Sequence, residues 1–336
     1  MPSKHIVVIG ASAGGIEALR IIAAALHEDF PAPICIVLHT APQSPGLLDA
    51  ILSRAGALPA TNAVNGERLR PGHIYVAPPD FHLVIEPGIV RVTKGPRENR
   101  FRPAIDPLFR SAAQVYGPGA IGVILTGNLD DGTDGLAVIK SLGGCAIVQD
   151  PMEAVFPSMP QHALDHVDVD YVLPLAQIAP TLVRLTSVPV ERTAPTEVPE
   201  RIQVEVNIAM EQNPFDAGLE RIGKPSEFAC PECHGVLLEL KDGTRTKFRC
   251  HTGHAYSIAS LLAAISEGIE DSLWGAVRAL EEGQLLMMRM AEHVKANHNS
   301  ADAQQLLDRA NEARNQSEAI RKLVMRRDPV AEANRS

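Results

Sequence analysis

The sequence predicts an α/β protein built on a doubly wound, mostly parallel sheet with helices on both faces. Two observations predict this class. Short apolar runs alternate with helical patterns over residues 5–185. The runs are nearly continuous in apolar residues, as is typical of strands that are buried on both faces. Because aromatic residues make up only 4% of the 336 residues, we expect a core of aliphatic side chains.

Five runs are predicted to be the strands of this sheet: HIVVIG, PICIVLH, HIYVAP, AIGVILTG and CAIVQD. Helical spacing of apolar residues lies between them, as in IEALRIIAAAL and GLAVIKSL. A different pattern, HLVIEPGIVRV, predicts a small antiparallel hairpin that turns on Pro87 and Gly88. Together these elements place the first domain at residues 1–186.

Three further segments follow this domain. Residues 187–226 are assigned to a linker, because the stretch SVPVERTAPTEVPE has three prolines and no apolar periodicity. Residues 227–256 contain a cysteine and histidine cluster and are predicted to form a small zinc-ribbon-like module. Residues 257–327 have apolar residues at helical spacing and predict a helical hairpin, whose apolar stripe needs a partner surface.

Charge and hydropathy exclude several classes of protein. The formal net charge is −9, which argues against a general nucleic-acid binder. No apolar run approaches the roughly 18 residues that a membrane span needs. The N-terminus also lacks the pattern of a secretion signal. We therefore expect a cytoplasmic protein that neither binds nucleic acid nor inserts into a membrane.

The turn after the first strand has two interpretations. Gly10-Ala11-Ser12-Ala13-Gly14 fits Gly-x-Ser-x-Gly, in which small neighbours allow a sharp turn that exposes a nucleophilic serine. A glycine turn before a helix can also hold a phosphate. The glycine spacing and the acidic residue of a dinucleotide site are missing, however, and so is the lysine of a Walker loop. The pattern therefore favours the nucleophile.

Histidine and aspartate candidates follow two other predicted strands. His39 ends the run ICIVLH, and Asp130 and Asp131 follow AIGVILT. The carboxyl ends of parallel strands lie at one edge of a sheet, where ligands bind. We therefore expect serine, histidine and aspartate to meet there. Their order along the chain differs from that of the usual α/β-hydrolase, so a triad here requires that convergence on this fold be allowed.

Several long segments, in the same order, resemble the CheB-type chemotaxis methylesterases over roughly residues 5–185. They are VVIGASAGG, IVLH, NGERLRPGHIYVAPPDFHL, NRFRPAIDPLF, GVILTGNLDDGTDGL and QDPMEAVFPSMPQHAL. The resemblance implies a serine hydrolase that removes methyl esters from glutamate side chains of a chemoreceptor-like signalling protein. It also implies glutamine deamidation by the same machinery, and catalysis that needs no cofactor.

The resemblance assigns roles to three side chains. By position, Ser12 is the nucleophile and His39 is the general base. Aligning TGNLDDG with the family's Thr-Gly-x-x-x-Asp-Gly makes Asp131 the orienting carboxylate, rather than Asp130 or Asp134. The typical member also has an N-terminal receiver domain. Because only four residues precede the first predicted strand, we expect a stand-alone enzyme without that domain.

The resemblance also assigns the substrate contacts. The backbone amides of Ala13 and Asn128 would donate to the oxyanion. Arg102 is either a residue of the substrate groove or a structural partner of Asp106. The chain departs from the family at two of these positions, since Ala13 replaces a threonine and Gly127-Asn128-Leu129 replaces Gly-Met-Gly. Backbone donors survive such changes, whereas the fit of the substrate is open to change.

The cysteine cluster of the C-terminal half has the spacing of a zinc site. Two ligand pairs, separated by a stretch with strand character, predict a tetrahedral Cys₃His site. The four predicted ligands are Cys230, Cys233, Cys250 and His254. His234 and His251 compete for the fourth position, and adjacent Cys250 and His251 would chelate awkwardly. Because the segment has little basic excess, we expect a structural zinc rather than a nucleic-acid reader.

Two other functions compete with a protein-glutamate methylesterase. One is a non-catalytic signalling adaptor that binds a partner through the zinc module and the helices, and the other is a small-molecule esterase. The expected partner is a methylated helical chemoreceptor or a related signalling protein. The C-terminal hairpin is expected to bind a helical partner or to self-associate. If the C-terminal module covers the active-site edge, truncation near residue 187 should raise activity.

Overall fold

A seven-stranded parallel sheet lies at the centre of the first of two compact units, Met1–Leu261 and Leu262–Ser336. The computed structural model describes residues 4–190, 197–242, 245–296 and 300–326. The strands are β1 Ile6–Ala11, β2 Ile34–Leu38, β3 Ala60–Asn62, β4 Glu67–Arg68, β5 Ile74–Val76, β6 His82–Glu86, β7 Ile89–Thr93, β8 Ala120–Ile124, β9 Cys145–Gln149, β10 Tyr171–Leu173, β11 Lys224–Ala229, β12 Val236–Asp242, β13 Arg245–Cys250 and β14 Ala255–Ser257.

The helices follow the strands in the alternation that the sequence predicts. They are α1 Gly15–Ala24, α2 Leu48–Ala55, α3 Ile105–Tyr116, α4 Thr133–Ser141, α5 Ser158–His166, α6 Leu175–Ser187, α7 Glu200–Ala209, α8 Pro214–Ala217, α9 Leu219–Ile222, α10 Ile258–Ala296 and α11 Ser300–Arg326, with a 3₁₀ turn at Gly117–Gly119. The central sheet has the order β10-β9-β8-β1-β2-β5-β3, and every pair in it is parallel.

Both faces of the central sheet are covered by helices. In β1, Ile6 and Val8 belong to an apolar cluster with residues of α3 and α4. Val7 and Ile9 belong to a second cluster, with residues of α1, α2 and α6. Neighbouring residues of a strand point to opposite faces, so a strand buried on both sides is apolar throughout. The prediction of a doubly wound α/β domain is confirmed.

The predicted antiparallel hairpin is also present. Strands β6 and β7 pair from His82 opposite Thr93 to Glu86 opposite Ile89. Gly88 lies in the turn with a φ of 76°, a left-handed conformation that glycine adopts without steric cost. Strand β4 pairs with β7 on its other side and completes a three-stranded sheet.

The predicted linker contains helices. Helices α7, α8 and α9 all lie within residues 187–226, and α7 is largely buried. Ile202 and Val206 of α7 pack in the cluster with α3, whereas Val204 and Ile208 pack in another cluster. With apolar residues on two sides of the helix, the sequence lacks a single apolar stripe. The linker prediction is therefore wrong for this stretch; residues 191–196 lie outside the described residues.

Strands β11 to β14 form a four-stranded antiparallel sheet within the first unit. Its last strand is hydrogen-bonded to the N-terminal half of the chain. The amide of Ala255 donates to the carbonyl of Arg97 at 3.1 Å, and the amide of Asn99 donates to the carbonyl of Ala255 at 2.8 Å. This sheet, which we call the C-terminal sheet (residues 224–257), is thus hydrogen-bonded to the loop that precedes α3.

The second unit consists of most of α10 together with α11. The carboxylate of Glu281 in α10 accepts hydrogen bonds from Ser317 at 3.1 Å and from Arg321 at 2.5 Å. Arg321 also lies over the ring of Trp274. The two helices therefore run side by side in opposite directions, as the predicted hairpin requires. No helix in the described ranges is long and apolar enough to cross a lipid bilayer.

Candidate active site

Ser12 lies in the turn between β1 and α1. Its amide donates to the carbonyl of Thr126 at 3.0 Å, and its carbonyl accepts from the amide of Gly15 at 2.9 Å. Gly14 has a φ of 75°, which lets the chain turn sharply from the strand into the helix. These bonds hold the half-buried Ser12 at the carboxyl end of the sheet.

His39 follows β2, the strand next to β1. Its amide donates to the carbonyl of Ala11 at 3.1 Å, so the strand pairing itself sets the position of the residue. The imidazole Nδ1 lies 3.2 Å from Ser12 Oγ. The ring stacks on Phe101, with centroids 3.7 Å apart and planes within 8°. Strand pairing and stacking together orient the imidazole toward the serine.

Asp131 completes the contact. Its Oδ2 lies 2.7 Å from His39 Nε2 and also accepts from the amide of Ile105 at 2.7 Å. Ile105 is the first residue of α3, where the helix dipole favours a negative charge. Burial alone would raise the pKa of Asp131, but the bonds from His39, Ile105 and Asn99 lower it below its ordinary value. The carboxylate is therefore ionised at neutral pH.

This geometry determines which imidazole nitrogen carries the proton. An ionised carboxylate only accepts hydrogen bonds, so Nε2 of a neutral His39 holds the proton and donates it to Asp131. The lone pair of Nδ1 then faces Ser12 Oγ. Such an imidazole takes a proton from the hydroxyl as the oxygen attacks an electrophile.

The neighbouring acidic residues contact other groups. Asp130 accepts from the hydroxyl of Ser257 at 2.8 Å. Asp134 lies 3.3 Å from the guanidinium of Arg201. Of the three aspartates near the end of β8, Asp131 is the one hydrogen-bonded to His39.

Arg102 pairs with Asp80, and not with Asp106, the structural partner that the sequence suggests. Its guanidinium donates to Asp80 Oδ1 through Nε at 3.0 Å and through Nη2 at 2.7 Å, and to the carbonyl of Gly95 at 2.9 Å. Asp106 instead accepts from the amides of Gly132 at 3.1 Å and Gly135 at 2.8 Å. The proposed pairing of Arg102 with Asp106 is wrong, because Arg102 binds Asp80, whereas the Asp106 side chain reaches from α3 to the backbone amides at the N-terminus of α4.

Ala13 and Asn128 lie on two adjoining loops beside Ser12. Thr126 Oγ1 donates to the carbonyl of Ala13 at 3.0 Å and so joins the loops. Gly127 allows the two loops to lie close together because it has no side chain. A Cβ at this position would lie 2.8 Å from the Cβ of Ser12 and 2.8 Å from the sulfur of Met159. The backbone amide of Asn128 therefore follows directly after a glycine that packs closely against Ser12.

Sequence reasoning missed Asn99 as a residue of the site. Asn99 is 3% exposed, and its Nδ2 donates to Asp131 Oδ1 at 2.9 Å and to Asp106 Oδ2 at 3.1 Å. Its φ of 50° is left-handed, a conformation that asparagine tolerates better than most residues. The available signal was its place in NRFRPAIDPLF, a segment shared with the resembled family.

A cluster of buried charges lies behind the site, and sequence reasoning missed this as well. Arg249 donates to Glu98 at 2.8 Å, and Lys247 lies 3.3 Å from both Glu98 and Asp106. These residues come from segments distant in the sequence, so no local pattern signals the contact. The buried charge cluster consists of the carboxylates of Glu98, Asp106 and Glu205 and the cations of Arg110, Lys247 and Arg249.

The four predicted metal ligands meet in the C-terminal sheet. One ligand atom from each of Cys230, Cys233, Cys250 and His254 lies within 4.8 Å of all the others. The Cys233 and Cys250 sulfurs are 3.6 Å apart, and His254 Nδ1 lies 3.6 Å from the Cys250 sulfur and 3.7 Å from the Cys230 sulfur. Tetrahedral zinc, with Zn–S bonds of about 2.3 Å, places its ligand atoms about 3.6–3.8 Å apart.

The environment of His254 also suits metal binding. Its Nε2 lies 3.3 Å from the carboxylate of Glu232, and such a partner fixes the tautomer that leaves Nδ1 free for a metal. His251, one of the two competing histidines, stacks on Phe215 instead. The cluster of cysteines and His254 can hold a metal ion.

Comparison with known proteins assigns the chain to a family. The CheB methylesterase family model matches residues 7–182. A putative protein-glutamate methylesterase/protein-glutamine glutaminase of Leptospira interrogans is 44% identical over 180 residues, which are 53% of this chain and 93% of that protein. Protein-glutamate methylesterase/protein-glutamine glutaminase 2 of Anaeromyxobacter dehalogenans is 41% identical over 54% of this chain and 53% of its own length.

A solved structure agrees with this assignment. The crystal structure of the Thermotoga maritima CheB methylesterase catalytic domain is 38% identical, with a TM-score of 0.52, and the match covers 54% of this chain and 98% of that domain. The matched region includes the turn of Ser12 and the strand ends that carry His39 and Asp131. The chain belongs to the CheB methylesterase family.

Proposed function

We propose that this protein is a protein-glutamate methylesterase in which Ser12, His39 and Asp131 act as a catalytic triad. One observation carries the proposal. A hydrogen-bonded chain runs from Ser12 Oγ through both nitrogens of His39 to a buried carboxylate, over distances of 3.2 and 2.7 Å. The relatives named as glutamate methylesterases supply the class of substrate.

In the first half-reaction, Ser12 Oγ attacks the carbonyl carbon of a glutamate γ-methyl ester while His39 Nδ1 accepts the hydroxyl proton. The negative charge that develops on the carbonyl oxygen is stabilised by the backbone amides of Ala13 and Asn128. When the tetrahedral intermediate collapses, the C–O bond to the methoxy group breaks. His39 gives its proton to this group, and methanol leaves.

In the second half-reaction, water attacks the glutamyl ester of Ser12, and His39 takes a proton from the water. The ester bond to Ser12 then breaks, the serine oxygen recovers the proton, and the glutamate carboxylate leaves. Asp131 stays ionised throughout and stabilises the imidazolium that forms twice in each cycle. A glutamine side chain would follow the same steps and release ammonia, in keeping with the second activity in the relatives' names.

The expected substrate is a methylated helical chemoreceptor or a related signalling protein. This chain covers 53% of the Anaeromyxobacter relative, so the activity and partners of the longer relatives are carried over here as proposals. In the same sense, Arg102 is proposed to line the groove for the substrate. It is held by Asp80, and its side chain is 16% exposed.

For the C-terminal sheet, we propose one structural zinc held by Cys230, Cys233, Cys250 and His254. The ligand spacings fit a tetrahedral ion. Four protein ligands leave no position for a substrate, so the zinc would fix the fold of the sheet and take no part in hydrolysis.

Methanol release from a methylated chemoreceptor tests the proposed function. Wild-type protein should release methanol. Ser12→Ala should lower the rate to the uncatalysed background, a loss of up to about 10⁶-fold. A simple methyl ester, assayed in parallel, separates a methylesterase for proteins from a small-molecule esterase. Labelling by a serine-reactive phosphonate separates both enzymes from a non-catalytic adaptor. A wild-type protein that is neither labelled nor active would contradict the proposal.

A further inference from the structure

Asn99 connects the triad to the C-terminal sheet. On one side, its Nδ2 donates to Oδ1 of Asp131, the carboxylate oxygen that His39 does not use. On the other side, its Oδ1 accepts from the amide of Ser257 at 2.9 Å and from the hydroxyl of Ser260 at 3.1 Å. Ser257 ends β14, and Ser260 lies in the first turn of α10.

These contacts determine the orientation of the Asn99 amide. An amide can present either its oxygen or its nitrogen to a neighbour. Two donors, from Ser257 and Ser260, face the oxygen, and this leaves the nitrogen directed at Asp131 and Asp106. Ser260 is fully buried, so no solvent replaces its hydroxyl when it is removed.

We propose that Asn99 is a positioning residue for Asp131, and that it is oriented by Ser257 at the end of the C-terminal sheet and by Ser260 in the first turn of α10. The end of β14 and the first turn of α10 then help to position the triad, rather than belonging to a separate binding module. The inference rests on the proposed triad, because Asn99 acts on the reaction only through Asp131. It adds two groups, from residues 257 and 260, that lie outside the region matched by the family.

The backbone supports the same connection. The amide of Asn99 donates to the carbonyl of Ala255, and the amide of Ala255 donates to the carbonyl of Arg97. Strand β14 is therefore hydrogen-bonded to the loop that carries Asn99. His254 immediately precedes β14, and its carbonyl accepts from the amide of Cys250 at 3.0 Å. Two of the candidate metal ligands, Cys250 and His254, thus lie on the same short segment as the contact to Asn99. Loss of the C-terminal sheet should lower activity, the opposite of the effect expected if it only covered the site.

The proposal is tested by two single variants and their combination in the full-length protein. Asn99→Gly removes the side chain and suits the left-handed backbone, and Ser260→Ala removes one hydroxyl. A bond to a charged group corresponds to about 10- to 100-fold in rate, so Asn99→Gly should lower kcat by that factor. Ser260→Ala should lower kcat by less. The double variant should match Asn99→Gly alone, because Ser260 acts through Asn99.

Ser226→Ala is the matched control. It removes a hydroxyl that donates to the carbonyl of Leu237 within the same sheet, away from Asn99. This control should keep the wild-type rate. Thermal melting of each variant should show a folded protein at the assay temperature. If Asn99→Gly does not fold, Ser260→Ala and Ser226→Ala still decide the matter, since only the former is expected to slow the reaction.

The pH profile distinguishes positioning from a general structural role. With one donor to Asp131 removed, the carboxylate is less stabilised and holds the imidazolium proton of His39 more strongly. The acid limb of kcat/KM should therefore move to higher pH in Asn99→Gly. A general loss of folded protein would lower the whole profile without moving this limb.

Phosphonate labelling of Ser12 gives a second measure that needs no methyl ester. If wild-type protein fails to release methanol, the proposed function falls, but the labelling rates of the same variants still test the inference. Slower labelling of Asn99→Gly and Ser260→Ala, with no further loss in the double variant, supports it. Wild-type labelling rates in both single variants, or additive losses in the double variant, would overturn it.

Discussion

His39 donates from Nε2 to Asp131 across 2.7 Å, while its Nδ1 faces Ser12. The carboxylate is 1% exposed and is also bonded to the first amide of α3. The imidazole is therefore held by a fixed negative charge at one nitrogen and is free to accept a proton at the other.

Asp131→Asn should reduce methanol release by about 10³- to 10⁴-fold. The amide can donate to Nε2 and so favour the tautomer whose Nδ1 already carries a proton, which leaves no base beside Ser12. Asp130→Asn is the matched control, because Asp130 contacts Ser257 rather than His39, and it should lose less than about tenfold. Equal losses in the two variants would contradict the role of Asp131.

Gly127→Ala should reduce kcat by about 10²-fold, because displacements on the scale of 1 Å cost that much. The new Cβ would lie 2.8 Å from the Cβ of Ser12 and so displaces the nucleophile. Gly275→Ala is the control: a Cβ there has no neighbour within 4 Å, and the position is inside α10. This control should leave kcat unchanged and stabilise the protein by up to about 1 kcal/mol in thermal unfolding.

Lys247→Met should lower the free energy of unfolding by about 3–5 kcal/mol, because it leaves buried carboxylates without one of their cations. Lys247 lies 3.3 Å from each of Glu98, Asp106 and Glu205. Lys241→Met is the control in the same sheet, since the Lys241 side chain is 69% exposed. Denaturant unfolding measures the stability of both variants. An equal loss of unfolding free energy in Lys247→Met and Lys241→Met would contradict the prediction.

Acid should destabilise the protein through Glu205, one carboxylate of the same cluster. Burial alone would raise the pKa of Glu205, but Lys247, Arg110 and Arg201 lower it to about 2 from an ordinary value of 4.5. A carboxylate whose folded pKa is depressed adds stability that is fully present above its unfolded pKa. That stability is lost as the pH falls from about 4.5 towards 2. Melting temperatures measured between pH 7 and that range should fall, and a flat profile would contradict the account.

Zinc should bind at about one ion per chain, and its removal by a chelator should lower the melting temperature. Cys233→Ser should lose the metal, because it removes one of four converging ligands. Cys145→Ser, which alters a free cysteine in β9, should keep it. Metal analysis by mass spectrometry would contradict the site if intact wild-type protein contained no zinc.

The contact between Ser12, His39 and Asp131 was predictable because each of these residues carries a local signal. Ser12 lies in a glycine turn, and His39 and Asp131 follow apolar strands whose carboxyl ends meet at one edge of a parallel sheet. The convergence of the four candidate metal ligands was predictable from their spacing in the same way. These signals need only neighbouring residues and the general geometry of parallel sheets.

The remaining features depend on contacts between distant segments. Helix α7 buries two sides, so its sequence lacks the single apolar stripe that reveals a surface helix. Arg102 pairs with Asp80, 22 residues away, and no spacing rule distinguishes this carboxylate from Asp106. Asn99 contacts Asp131 and Ser257, which lie 32 and 158 residues later in the sequence, and only the folded structure brings these residues together.

The most direct test of the central claim is to map where a serine-reactive phosphonate binds and to follow methanol release from methylated chemoreceptor in the same sample. The account predicts one phosphonate on Ser12 per active protein, with methanol release lost in proportion to labelling, and no labelling of Ser12→Ala. Full methanol release from a protein labelled at Ser12, or from Ser12→Ala, would contradict it.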